Sequence, residues 1–346
     1  MKHLLAIFSI AFLVGACGSD SSKEEAREQT NTSEFAVLAE RAKTIFGTLP
    51  TVAENPDNPI SDAKVALGKK LYFDVRLSKD DKISCNSCHN LSTYGVDNLP
   101  VSPGNDAGTF GTRNSPTVLN AAFHSTQFWD GRAKDVEEQA GGPIVNPVEM
   151  AIKDPKFLEG KLSKIDEYKT EFTAVFPGEA NPVTYENIQK AIGAFERKLV
   201  TPAPFDAYLE GDENALSNEQ KAGLDKFIST GCIACHAGNT LGGQMFQKFG
   251  TFGNYWEQTQ SESIDAGRFE VTKNETDKYM FKVPSLRNIE KTAPYFHDGS
   301  VKDLGESVKI MAKLQLNKDL TDDEVKSIVT FLGSLTGEVP EQYRSM

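Results

Sequence analysis

Hydrophobic positions along the chain form two pairs of helix-like stretches. Ser61–Phe73 (SDAKVALGKKLYF) carries Val65, Ala66, Leu67, Leu71, Tyr72 and Phe73 at spacings that suit a half-buried helix. Tyr185–Leu199 places Ile188, Ala191, Ile192, Phe195 and Leu199 on one face. Downstream the arrangement recurs. Ser217–Ile228 opens with Ser217 and Gln220 at capping-box spacing, and Asp322–Leu335 repeats an apolar face behind Thr321 and Glu324. Between the members of each pair the period disappears. Leu91–Thr117 and Thr240–Lys282 are rich in Gly, Asn and Pro and carry few strand signals. The pattern predicts an all-α chain with large loops. Loops that long count against an ordinary small domain, unless something other than side chains fills the centre they wrap.

The first residues belong to a different class. Met1–Ala16 joins a short basic start to the apolar run Leu4–Val14, too short to cross a membrane and suited to a secretory signal. It ends Val14-Gly15-Ala16-Cys17, the pattern of a bacterial lipobox, so Cys17 is the expected lipidation site. Ordinary cleavage nearby would instead leave Cys17 a free thiol, and both readings export the protein. Residues 17–34 are Ser/Glu/Thr-rich and read as a flexible tether. Over the whole chain of 346 residues, 37 Lys+Arg stand against 49 Asp+Glu, a net charge of −12, with no basic block. That argues against nucleic acid as a partner and leaves membrane contact to a lipid anchor alone.

Four cysteines remain, and they form Cys85-Asn86-Ser87-Cys88-His89 and Cys232-Ile233-Ala234-Cys235-His236. In C-x-x-C-H, two thiols can add to the vinyl groups of one haem while the next histidine reaches its iron. A four-cysteine zinc site would leave His89 and His236 unexplained, and a redox dithiol would want a βαβ context that is absent from the pattern. Disulfides would leave the two histidines equally unexplained. The spacing therefore predicts two covalently bound haems c. Each motif follows one helix and precedes another, the layout of a class I cytochrome c domain. The expected division is 35–203 and 204–346, joined near Thr201–Asn214, where TPAPF breaks the helix. His89 and His236 are the expected proximal ligands. For the sixth position of the C-terminal iron, Met311, shortly before the last predicted helix, is preferred to Met280. Methionine there would close that haem and raise its potential. No Met or His holds the matching place in the N-terminal half, so that haem is expected to keep an open face.

These residues, together with Arg113–Thr117 (RNSPT), Gln127–Ala133 (QFWDGRA), Asn146–Met150 (NPVEM), Val283–Asn288 (VPSLRN) and Thr292–Gly299 (TAPYFHDG), resemble the bacterial diheme cytochrome c peroxidases. The resemblance runs from about Ile45 to Gly337. It implies that the N-terminal domain holds the peroxidatic haem and the C-terminal domain the electron-transfer haem. It gives Trp129 as an aromatic bridge between them, Glu149 as the acid/base of the peroxide pocket, and Gln139 and Phe128 as its lining. Asn114 and the main-chain carbonyls of Thr292 and Pro294 resemble the family's Ca²⁺ site between the domains. Hydrogen peroxide is the implied substrate, a small c-type cytochrome or cupredoxin the implied donor, and the periplasm the implied location. Whether the working unit is a homodimer stays open. One departure stands out: family members often carry a histidine in the loop that here spans Gly95–Thr112, where Asn105 and Asp106 fall about at its place. The competing readings are a two-haem electron carrier without catalysis and a related diheme oxidase of a protein substrate. Methionine rather than tyrosine at 311 argues against the latter.

Overall fold

The computed structural model describes residues 35–346, so the expected leader, Cys17 and the tether lie outside the described residues. The chain is mostly helical with little sheet. Its first half runs α1 (35–46), α2 (Asp62–Phe73), α3 (Cys85–Cys88), α4 (Val136–Val145), α5 (Pro155–Leu162), α6 (Asp166–Val175) and α7 (Tyr185–Glu196). The second half continues with α8 (Pro204–Leu209), α9 (Asn218–Thr230), α10 (Tyr255–Thr259), α11 (Phe269–Thr272), α12 (Leu304–Leu316), α13 (Asp322–Gly333) and α14 (Glu341–Arg344). A single antiparallel pair, β1 (Phe246–Lys248) and β2 (Met280–Lys282), places Phe246 opposite Lys282.

The four helices expected from periodicity are present, and their caps explain where they start. Ser61, Thr184, Ser217 and Thr321 each accept a bond from a first-turn N–H, and the last two are closed reciprocally by Gln220 and Glu324. Both closing helices stop short of the expected ends. α7 ends at Glu196 and α13 at Gly333, after which Leu199 N bonds Glu196 O and Leu335 N bonds Leu332 O in tighter turns.

Each haem-motif helix crosses its closing helix at a glycine. A Cβ on Gly68 of α2 would lie 1.8 Å from Ala191 O of α7. One on Gly223 of α9 would lie 2.1 Å from Ser327 O of α13. Backbones this close leave the large side chains to pack on either side of the crossing. Tyr72 meets Phe195 edge-on at 5.3 Å in the first core, and Phe227 meets Phe331 at 5.3 Å in the second.

Packing departs from chain order at both ends. Leu38, Ala42 and Phe46 of α1 sit in the second core with Phe205, Leu224 and Phe331, whereas Val339 and Tyr343 join the first. The segment 201–214 also does more than break a helix. Pro204 starts α8 at a position where its missing N–H costs nothing, and Phe205, Tyr208 and Leu209 are buried. Nor is 240–282 wholly irregular, because it holds β1, α10, α11 and β2. Strands of three residues are too short for an alternating pattern to register.

Candidate active site

Between the two cores lies one continuous cavity of about 390 Å³. Cys85, Cys88 and His89 line it from one side, and Cys232, Cys235 and His236 from the other. All four thiols are free. In each motif the imidazole is oriented by a main-chain carbonyl: His89 Nδ1 to Pro116 O at 3.0 Å and His236 Nδ1 to Leu241 O at 2.9 Å. Pinning Nδ1 in this way fixes the tautomer and leaves Nε2 as the ligating atom. Burial holds both imidazoles below the usual histidine range, in the neutral form that binds iron. Tyr72 of α2 donates to His89 O at 2.5 Å, tying the first motif to its core. A cavity flanked by paired free thiols and carbonyl-oriented histidines fits two haems.

Helix α4 supplies one wall. Val136, Gln139, Ala140 and Pro143, spaced by three, one and three residues, turn a single face to the cavity. At its end Asn146 begins a reversal in which Glu149 N bonds Asn146 O, Met150 N bonds Pro143 O and Ala151 adopts φ +58°. This fold-back brings Glu149 to the same wall. Its Oε2 is buried with no hydrogen-bond partner among the described residues. Burial lifts the Glu149 carboxyl above its ordinary range, against the opposing pull of Arg132 and Asn146. Phe128 also lines the cavity, with the Arg132 guanidinium 3.5 Å over its ring.

Trp129 lines the cavity too, and both halves of the chain hold it. Its Nε1 donates to Asn114 O at 2.9 Å, its carbonyl accepts from Lys282 N at 2.8 Å, and its ring meets His297 edge-on at 6.4 Å. Asp130, the next residue, is bound by Arg113 at 2.5 Å and Arg132 at 2.8 Å, and Arg113 continues to Asp265 at 2.6 Å. His297 is buried and stacked on Phe281 at 4.2 Å.

On the second side, α12 presents Leu304, Val308, Met311 and Gln315 to the cavity, so Met311 lies ahead of the closing helix α13, as expected, and within a helix of its own. Met280 sits on β2 and is not part of the lining. Asn114, Thr292 and Pro294 all line the cavity. No donor among the described residues reaches the carbonyls of Thr292 or Pro294. The Asn114 side chain uses its Nδ2 on Leu99 O at 2.9 Å. Asn105 and Asp106 do not line the cavity. Asn105 is buried against Asp80 and Asp106, its N–H donates to Glu149 O at 2.7 Å, and Lys79 pairs with Asp106.

Three groups that sequence reasoning did not single out belong to this site. Glu196 closes α7 fully buried on the lining, its carboxyl pushed up to about 8 by burial and the nearby Glu137. Lys282 and Arg132 are the other two. Lys282 carries a recognisable signal, a charge inside the apolar run Met280-Phe281-Lys282-Val283. Glu196 carries none, because an acid ending a helix is usually solvated.

Comparison with known proteins agrees with this geometry. The family model described as di-haem cytochrome c peroxidase matches residues 62–214. The cytochrome c551 peroxidase of Pseudomonas aeruginosa is 47% identical over 313 residues, covering 90% of each chain. That of Nitrosomonas europaea is 47% identical over 294 residues, covering 84% of each. A solved MauG-like protein associated with microbial copper homeostasis superposes with a TM-score of 0.74 at 28% identity, covering 86% of this chain and 95% of its own. The chain is an oxidoreductase of the peroxidase type that carries two haems, and it belongs to the di-haem cytochrome c peroxidase family.

Proposed function

We propose that the chain is an exported peroxidase that reduces hydrogen peroxide to two waters at the haem of the first motif, taking two protons and two electrons. The observation that carries this reading is the Glu149 carboxyl, folded back onto the cavity wall with Oε2 buried and unpartnered. When bound, the haems supply an open coordination position for peroxide on one side and a store of electrons on the other. Cys85 and Cys88 attach the first haem covalently and His89 ligates it; Cys232, Cys235 and His236 do the same for the second.

Heterolysis of the O–O bond needs a proton taken from one peroxide oxygen and returned to the departing one. Glu149 holds that proton. Burial makes its carboxylate a stronger base than an exposed glutamate, and Arg132 opposes that shift. Gln139 and Phe128 close the pocket around the reacting oxygens and limit water. Trp129, clamped from both halves of the chain, bridges the two sides for electrons. Met311, on the cavity lining from α12, would hold the second haem as its sixth ligand and so leave small ligands to the first. Asn114 Oδ1 with the Thr292 and Pro294 carbonyls forms a hard-oxygen set suited to Ca²⁺ with added waters.

Asn105 stands about where relatives place a loop histidine. Its side chain is committed to Asp80 and Asp106, so this loop offers the first haem no ligand and the ferric site is ready for peroxide without prior reduction. A small c-type cytochrome or cupredoxin donates at the second haem. The sequence division at 203/204, the periplasmic location and the lipid anchor at Cys17 complete the reading. Among the described residues no helix is long and apolar enough to cross a membrane.

Glu149→Gln tests the assignment. It keeps side-chain size and both haems, and steady-state peroxide reduction should fall by about 10²–10⁴-fold, the usual contribution of a positioned acid/base. An unchanged rate with full haem content rejects it.

A further inference from the structure

Lys282 sits on β2 with 6% of its surface exposed, and no ion pair among the described residues includes it. Asp130 is the only charge that acts to keep it protonated, and Asp130 is already bound by Arg113 and Arg132. Burial pulls the ammonium down to about 7. A buried cation without a counter-ion is costly unless something supplies one.

The lysine's remaining contacts point to what is missing. Its Nζ donates to Thr126 O at 2.8 Å and lies 3.4 Å from His124 Nδ1. An ammonium has three N–H groups and accepts nothing, so one donor is left over and Nδ1 must be the acceptor. The His124 proton therefore sits on Nε2. That atom is buried without a partner, and both residues line the haem cavity. The ring cannot turn away easily. Ser125 N bonds Gly243 O at 3.0 Å, and a Cβ on Gly243 would lie 2.3 Å from His124 Cδ2, so second-half backbone is pressed against it. His124, from the first half of the chain, thus holds Lys282 Nζ, from the second, by one ring nitrogen while Nε2 points away, and the spare N–H of Lys282 is the charged donor left on the cavity lining.

We infer that Lys282, its Nζ held by Thr126 O and His124 Nδ1, forms a carboxylate seat at the junction of the two halves, which takes a propionate of one haem. A propionate brings into the cavity the negative charge that the protein itself withholds. Its carboxylate can accept the N–H that Lys282 Nζ has left over. Lys282 then stays charged in the loaded protein, and its cation offsets the propionate charge beside the iron. The inference rests on the family's two haems lying in this cavity and not on the peroxide chemistry.

Spectroelectrochemical titration of the holoprotein provides the test. Lys282→Met should retain two haems and lower the midpoint potential of one, because an uncompensated propionate favours the ferric state. Lys282→Arg should restore most of the shift, and added nitrate should move neither wild-type potential. Unchanged potentials in Lys282→Met overturn the seat, and so does a nitrate-dependent shift in the wild type, which would mean a free anion occupies it. Where Lys282→Met fails to take up haem, infrared redox-difference spectra of protein carrying ¹³C-labelled propionates decide. A propionate carboxylate band displaced between wild type and Lys282→Arg is expected, and identical bands overturn the proposal. A Lys282→Met enzyme with full haem content and unaltered potentials sinks the seat while leaving the peroxidase reading untouched; a fully active Glu149→Gln rejects the acid/base role of Glu149 and leaves the seat untouched.

Discussion

Arg287 is 1% exposed, and its charge is met by one partner only. Nη1 and Nη2 donate to the two oxygens of Asp206 at 2.7 Å each, and Nε donates to Asn239 O at 2.6 Å, in the loop that follows the second haem motif. Asp206 in turn accepts from Leu49 N at 3.1 Å and Ala203 N at 2.8 Å, so one buried pair joins α8, the second haem loop and the segment after α1. Breaking such a pair on one side costs about 3–5 kcal/mol, mostly from the charge left behind. Arg287→Met leaves a carboxylate that still holds two main-chain N–H donors, which places it near 3 kcal/mol on that scale. Asp206→Asn leaves a guanidinium with Asn239 O and one amide oxygen, nearer the upper end. The double variant removes both charges, so it should lose less than the two single changes together, by about 2 kcal/mol or more. Denaturant unfolding of the holoprotein, followed by far-ultraviolet dichroism and Soret absorption, measures all four corners of the cycle. At about 2.1 cal/mol/K per residue each kcal/mol moves the thermal midpoint of a chain this long by about 1–2 °C, so each single variant should melt several degrees below wild type. A double variant that loses the full sum of the singles would refute the reasoning, because it would mean the two charges do not depend on each other.

Arg132→Met removes a cation that lowers the Glu149 pKa. A general base works only when deprotonated, so activity falls as pH drops through that pKa. The acid limb of kcat/KM should therefore move to higher pH in the variant, and a limb that stays in place contradicts the Arg132–Glu149 coupling. Met311→Ala should open the second haem and convert its low-spin ferric signal to high-spin in electron paramagnetic resonance; an unaltered spectrum assigns the sixth ligand elsewhere.

The helical framework was legible because its signals are local. Ser217 with Gln220, Thr321 with Glu324, and apolar residues at helical spacing act within a turn or two, and tertiary contacts merely add to them. The two C-x-x-C-H motifs were legible for a different reason, since covalent chemistry tolerates almost no variation in spacing. What stayed hidden depends on long-range closure. Nothing local tells α1 to pack beside Phe205 and Phe331 rather than beside α2, and nothing in TPAPF announces that Pro204 begins a buried helix. Glu196 is hidden for the same reason, since a glutamate at a helix end reads as solvated until distant segments cover it, whereas Lys282 shows as a charge inside an apolar run whose use only the fold reveals.

The groups left unsatisfied share one address. Five buried side-chain atoms have no partner among the described residues, and three of them, His124 Nε2, Glu149 Oε2 and His297 Nε2, belong to residues that line the haem cavity. Lys282 adds a charge without a counter-ion on the same lining. A buried polar atom without a bond costs about 1–3 kcal/mol, and an unpaired charge more. Scattered through the molecule such atoms would read as imperfections; gathered around one cavity they mark where the chain by itself is incomplete. Elsewhere the same protein pairs its buried charges closely, Arg197 with Glu137 at 2.7 Å and Arg287 with Asp206 at 2.7 Å, so pairing is well within its means. The cavity lining is therefore built for contents that bring their own charge and hydrogen-bonding groups. Under the two proposals above, its unsatisfied groups divide the work: the raised Glu149 carboxyl serves the substrate oxygens, and the Lys282 ammonium serves the cofactor's acid side chain.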